Sequence, residues 1–290
     1  MPAPTHRSHS SPRPHTAPLA VAVAVALAVA VVALLVGVIR PHRIVGGGAA
    51  PARGAQSQPP ASTTGYFLHA PGAPPPMMLR NVPPPTIVWK PIPFGDKRKR
   101  ETIAYAKLHY GISSWQITGP HVIVEHFTAS TTMLSAWNAF AHDVPDPEFH
   151  SLPATCAQFI VDRAGRIYQL VPLDVLCRHT VGLNWTAIGI EMVGTSDRQI
   201  MSDAAEFRAA MRLTAWLAWR FHVAVGDVIG HNESLDSPYH REHVAASRCQ
   251  THGDWRHADM QVFRTGVRQI LQAHHLPAGA PWRAHRVPGC

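Results

Sequence analysis

Apolar positions along this chain fall into two regimes. From Leu19 to Ile39 there are 21 consecutive residues without a charged or polar side chain. At about 1.5 Å per helical residue such a run reaches about 30 Å, the thickness of a bilayer core. Residues 18–40 are therefore expected to form a transmembrane signal-anchor behind a short polar tail, residues 1–17. A cleavable signal peptide is the competing reading. Its apolar region would run only about 7–15 residues, and no small-x-small site follows this one closely. Arg7 and Arg13 before the span nearly balance Arg40 and Arg43 after it, so the flanking charges do not orient it.

The second regime begins near Lys97, where apolar residues recur at short periods. Residues 98–109 read as a helix stopped by Gly111, and residues 121–125 (HVIVE) as an apolar strand. Residues 131–142 read as a helix with Leu134, Trp137 and Ala141 on one face. Gln158–Asp162 and Arg166–Leu170 flank Arg163-Ala164-Gly165 as a hairpin. Ala187–Val193 reads as a buried strand. Asp203 is placed to cap a long helix reaching about His222, with Phe207, Met211, Thr214, Leu217 and Phe221 at three- and four-residue spacing. A last helix is expected over about Ala258–Ala273. Strands alternating with helices predict an α/β fold, a mixed central sheet flanked by helices. That domain is assigned to residues 97–275, with 276–290 as a C-terminal tail.

Between the two regimes lies a linker, residues 41–96, holding 13 of the 27 prolines. Such a segment acts as a semi-rigid spacer. Net charge is +8 with histidine neutral, which suits an anionic partner but does not choose one. No basic stripe interleaved with aromatics is present, and the run Lys97–Arg100 reads as a solvated or juxtamembrane cluster. A nucleic-acid partner is therefore not expected. None of the four cysteines forms a C-x-x-C pair, which argues against a cysteine zinc knuckle. Outside the cytosol Cys156 and Cys177 can pair.

Among 20 histidines, three stand just past predicted elements: His126 in VEHFTAS, His231 in DVIGHNES and His252 in QTHGDW. Three protein ligands and an open position are the usual layout of catalytic zinc. One acid also stands out. Glu191 sits inside AIGIEMVG, where an unpaired buried carboxylate costs at least several kcal/mol. Beside a metal it would serve as a proton shuttle. A carboxylate paired with an arginine is the plainer alternative.

The motifs IVEHFTAS, QFIVDRAGRIYQLVP, NWTAIGIEMVG, DVIGHNES and QTHGDW occur in this order over roughly residues 97–275. Together they resemble the N-acetylmuramoyl-L-alanine amidase family, type 2, related to the peptidoglycan recognition proteins. The resemblance implies a Zn2+ cofactor held by His126, His231 and His252, with Asp254 as rival to His252 because the family's third ligand is usually an aspartate or cysteine. It implies Glu191 as the catalytic glutamate. Many members carry a lysine two residues before the third ligand. Counted from His252 that place is Gln250, taken as the second catalytic group. His179 and Asn232 are expected to contact substrate, as are Asn184 and Trp185. The implied activity is hydrolysis of the amide between N-acetylmuramic acid and L-alanine in peptidoglycan. The implied partners are peptidoglycan and, through the N-terminal helix, a membrane, with the domain on its outer side or secreted. A non-catalytic peptidoglycan-binding module is the rival reading, and a hydrolase of soluble muropeptides a second.

Overall fold

A computed structural model of the protein describes residues 80–290. The apolar run Leu19–Ile39 and most of the proline-rich segment lie outside the described residues. Within them, no helix is long and apolar enough to cross a membrane.

Six strands form one sheet in the order β1-β4-β3-β5-β2-β6: β1 Ile87–Trp89, β2 Val122–Phe127, β3 Phe159–Val161, β4 Ile167–Gln169, β5 Ala187–Met192 and β6 Val228–Gly230. β3 and β4 are antiparallel and all other neighbours are parallel. The sheet is thus mixed, as the alternating pattern predicts. β2 and β5 are its longest strands and are buried on both faces, which is why both read as apolar runs rather than as alternating ones. In the hairpin turn Gly165 has φ +77°, and a Cβ there would lie 2.8 Å from the Ala205 carbonyl oxygen. Both constraints require glycine.

Helices cover both faces: α1 Asp96–Tyr110, α2 Met133–Ala141, α3 Asp197–Ser202, α4 Ala204–Phe221 and α5 His257–Ala273. On one face Ile123, Ile188, Ile190 and Met192 pack with Leu213 and Leu217 of α4 and Phe263 and Val267 of α5. On the other, Ile160, Tyr168 and Leu170 pack with Ala136 and Phe140 of α2, beside Cys156 and Cys177. Those two cysteines form the disulfide allowed by the sequence, and Cys249 and Cys290 form a second.

Some segments depart from the sequence reading. β1 follows Pro83-Pro84-Pro85 and takes the sheet edge, the place where neighbouring prolines remove no ladder bond. The run Lys97–Arg100 is not a uniform solvated face. Arg98 is buried and donates to the carbonyls of Phe140, Ala154 and Thr155. Lys97 pairs with Glu101 and Asp143. Asp203 holds the N-cap position of α4 without a capping bond. Its carboxylate accepts from Arg163 Nε instead, at 3.4 Å.

Glu206, in the first turn of α4, accepts the Val193 N–H at 2.6 Å and is buried. Burial pushes its carboxyl up to about 8 from 4.5. A raised carboxyl keeps its proton in the folded state after the unfolded chain has lost it, so stability falls as pH rises from about 4.5 to about 8. Glu206→Gln keeps the accepting oxygen and removes the titration. Denaturant unfolding at pH 5 and pH 8 should show the variant losing about 2 kcal/mol less than the parent over that window. This is below the full linkage value because solvent screens part of it. Parallel pH curves for the two proteins would refute this.

Candidate metal centre

The register of β2 against β5 sets the site. His126 lies opposite Glu191, and Val124 opposite Gly189. Alternate residues of a strand share a face, so His126 and Glu191 point to one side while Glu125 points to the other. There Glu125 accepts from Thr214 of α4 at 2.7 Å. His126 ends the buried part of β2, and His231 opens the 3-10 turn His231–Asp236 directly after β6. Gly230, the residue before His231, cannot be larger, because a Cβ there would overlap the Trp255 carbonyl oxygen. The glycine of the V-I-G-H step is thus explained by close approach of the loop that follows.

That loop supplies the third donor. Asn232 N–H donates to the Asp254 carbonyl at 2.9 Å, and the Asn232 side chain donates to the His252 carbonyl at 3.1 Å. Thr251 Oγ1 donates to the His231 carbonyl at 2.8 Å. Beyond Asp254, the N–H groups of Trp255 and Arg256 donate to the Asp197 carboxylate at 2.8 and 2.9 Å. These bonds aim Asp254 inward. One donor atom each from His126, His231 and Asp254 lies within 4.8 Å of the others. His126 Nδ1 is 3.2 Å from Asp254 Oδ2 and 3.1 Å from His231 Nδ1, and His231 Nδ1 is 3.4 Å from Asp254 Oδ1.

The chemistry of this donor set fits a cation. Two imidazole nitrogens at 3.1 Å can share only one proton, and both face a carboxylate. Burial works against charge on Asp254, yet its bonds to His126 and His231 hold the carboxyl well below the usual range. Burial, aided by the neighbouring His126, pushes His231 down to about 4, which keeps its imidazole neutral and able to ligate. Burial alone would lower His126 as well, but Asp254 and Glu191 raise it. The other nitrogen of His126 is held from outside: Nε2 lies 3.2 Å from Thr180 Oγ1 and 3.1 Å from His179 Nδ1. Such partners fix ring orientation in metal sites.

The expected residues divide. His126 and His231 converge, but His252 does not join them. The third member is Asp254, the rival. His252 is half exposed, its Nε2 is 3.1 Å from Glu148 Oε2, and its ring stacks on that of His231 at 4.6 Å. The displacement follows from the loop path, since the bonds from Asn232 and to Asp197 bring residue 254 inward and turn residue 252 to the rim. Gln250 also contacts Glu148, at 3.3 Å, and stands off the three-donor group. His179 is partly buried in the cleft wall. A Cβ on Gly189 would lie 2.8 Å from its ring, which accounts for glycine in mid-strand. Asn232 ties the loop, as described. Asn184 is wholly buried, accepting from the N–H groups of His179 and Thr180 and donating to Tyr105 and Tyr110. Trp185 donates to the Tyr239 carbonyl at 3.3 Å. Glu148 and Asp197 were not singled out in the sequence. Their partners are 104 and 58 residues away, and no local pattern marks them.

The donors line one wall of a cavity of about 570 Å³, together with Phe127, Phe140, Arg178, His179, Glu191 and His252. Glu191 is buried there with Oε2 unpartnered. Burial, with a smaller push from Asp254 and an opposing pull from His126, raises its carboxyl to about 7.

Residues 116–250 match the family model described as N-acetylmuramoyl-L-alanine amidase. No curated protein matches the chain. Among solved structures, similarity extends to a mutant endolysin from Bacillus subtilis, with 20% identity over 63% of this chain and 98% of that one at a TM-score of 0.38. It extends to the Staphylococcus aureus hydrolase AmiA in complex with its ligand, with 16% identity over 69% and 90% at 0.41. It also extends to Drosophila PGRP-LB, with 19% identity over 42% and 75% at 0.33.

If the Asp197 carboxylate is the outer anchor of the Asp254 loop, Asp197→Ala should cost about 2 kcal/mol in denaturant unfolding, the usual result of stranding buried donors. It should also speed amide exchange at Trp255. Unchanged exchange there would show that the loop is held by other contacts.

Proposed function

We propose, because residues 116–250 match the family model described as N-acetylmuramoyl-L-alanine amidase, that this protein is a zinc-dependent amidase. It cuts the bond between N-acetylmuramic acid and L-alanine in peptidoglycan. The observation that carries the reading is the convergence of His126, His231 and Asp254 beside the unpartnered carboxyl of Glu191 in one cavity. Two imidazoles and a carboxylate, with a face open to the cavity, form a donor set that suits zinc.

When bound there, zinc would supply Lewis acidity and lower the pKa of water toward about 7. The protein's own groups then divide the proton work. Glu191, with its carboxyl raised to about 7, takes up a proton from water as a carboxylate and returns it to the L-alanine nitrogen as an acid. With Asp254 as third ligand, the place two residues before it falls on His252 rather than Gln250. His252, set over His231 and held by Glu148, is placed to donate a hydrogen bond to the carbonyl oxygen as negative charge develops. His179 and Thr180 hold His126 in orientation. Two disulfides fit an oxidising compartment. This supports placing the domain outside the cytosol; the anchor at Leu19–Ile39 is proposed on the apolar run of the sequence alone.

A panel of variants tests this on the whole chain. The parent should carry about one zinc and release L-alanine amino termini from purified peptidoglycan. His126→Ala and Asp254→Ala should lose the metal. Glu191→Gln should keep it and lose about 10²–10⁴-fold in rate. His252→Ala should keep it and lose about 10²–10³-fold. Zinc lost in His252→Ala but kept in Asp254→Ala would return the third ligand to His252. A folded parent that binds wall but carries no zinc and releases nothing would be a recognition module instead.

A further inference from the structure

The two disulfides sit in unlike places. Cys156–Cys177 is buried beneath α2, whereas Cys249 and Cys290 are exposed and join across 41 residues. Cys249 precedes Asp254 by five positions in the same loop. The segment after α5 folds back along the site. Gly226 N–H donates to the Ala280 carbonyl at 2.9 Å. His285 N–H donates to Asp236 at 2.8 Å and Val287 N–H to Leu235 at 2.9 Å. Arg286 pairs with Asp236 at 3.1 Å, and Val287 is buried. Residues 280–290 therefore run along the 3-10 turn that begins at His231 and reach the Asp254 loop through the Cys249–Cys290 bond.

A hydrogen bond from Thr251 to the His231 carbonyl and one between Thr251 and Ser234 Oγ already tie the Asp254 loop to the turn, and the disulfide adds to them. The loop's far end is fixed by Asp197, but Arg248, Cys249, His252 and Gly253 are exposed, and a Cβ on Gly253 would meet nothing within 4 Å. At its near end, Gln250 N–H to the Ser247 carbonyl at 3.0 Å is a bond within the loop itself. The disulfide is the covalent tie between this end and the turn that carries His231.

We propose that residues 280–290, closed by Cys249–Cys290, form a clasp that holds the His231 turn and the Asp254 loop in register. The bridge is thereby a positioning element for the metal centre. The inference rests on the zinc reading above and names what maintains that site. Closure joins two thiols into one disulfide, with two electrons and two protons passing to a disulfide oxidant by thiol–disulfide exchange. Supports outside the ligand set are typically worth about 10–100-fold in metal affinity, and the same range is expected here.

The test is the double variant Cys249→Ser/Cys290→Ser in the whole chain, with two readouts. Zinc affinity, by competition with a chromophoric chelator, should weaken about 10–100-fold, with cleavage recovered at excess zinc. In the metal-free protein the Asn232 amide, which donates to Asp254, should exchange faster while amides of β2 and β5 stay unchanged. Affinity and Asn232 exchange both within twofold of the parent would overturn the clasp. A parent without zinc affinity would sink the amidase reading, and exchange would still decide the clasp. Should the double variant fail to fold, the exposed bridge of the parent can be opened with a phosphine, which gives two electrons while water gives two protons and its oxygen. Exchange at Asn232 is then read as before, with the buried Cys156–Cys177 bond intact.

Discussion

The parallel pairing of β2 with β5 is the constraint on which the rest depends. Strand periodicity gives each residue of VIVEHF a fixed side, and the register sets His126 beside Glu191. A slip of one residue would turn Glu125 into the cleft and bury His126 against α4. The apolar residues prevent the slip. Ile123, Ile188, Ile190 and Met192 must face α4 and α5 to complete that core, and doing so forces the histidine and the glutamate together on the opposite side. The hydrophobic effect thus decides the geometry of a polar site, because burial of the aliphatic face fixes what its alternate positions can do.

The polar site itself opposes folding. Two imidazoles and two carboxyls sit in one buried region, with Glu191 Oε2 and His231 Nε2 lacking partners. Unpaired buried groups of this kind are costly. The surrounding structure supplies what holds them. Glu233 accepts the Gly230 N–H and, with Arg264 donating into it at 2.6 Å, braces the turn from α5. Asp197 braces the loop from α3. Asn184 braces His179 from the side of α1. Glu233, Asp197 and Asn184 are buried polar groups that each make several hydrogen bonds, and these bonds offset part of that cost.

Much of this was legible in the sequence where a signal repeats. Long segments with clear periodicity, such as α4, α5 and the two central strands, stand where their patterns put them. The strands of three residues divide by their flanks: β3 and β4 are marked by the turn Arg163-Ala164-Gly165, β6 shows only as the short apolar stretch before His231, and β1, set among prolines, carries no such mark. The site was legible as far as strands position it: His126, Glu191 and His231 each follow from a strand and its end. The third donor was not. His252 and Asp254 are two residues apart in a loop without periodicity. The choice between them is made by Asn232, Asp197 and the left-handed turn at Trp255, φ +54°, contacts that span tens of residues. Glu148 was invisible for the same reason.

The choice of an aspartate there agrees with how the chain uses cysteine. All four cysteines are in disulfides and none is free. Disulfides persist where the surroundings oxidise thiols. A thiolate ligand in such surroundings would be both the nucleophile and the target of exchange with the nearby bridge at Cys249. A carboxylate cannot enter that exchange. Asp254 in addition carries its charge without titrating near neutrality, because the two histidines hold its carboxyl far below the usual range. The candidate metal donors and the disulfides therefore do not compete for the same atoms, and the loop can be fixed by sulfur chemistry at Cys249 while presenting oxygen to the site five residues later.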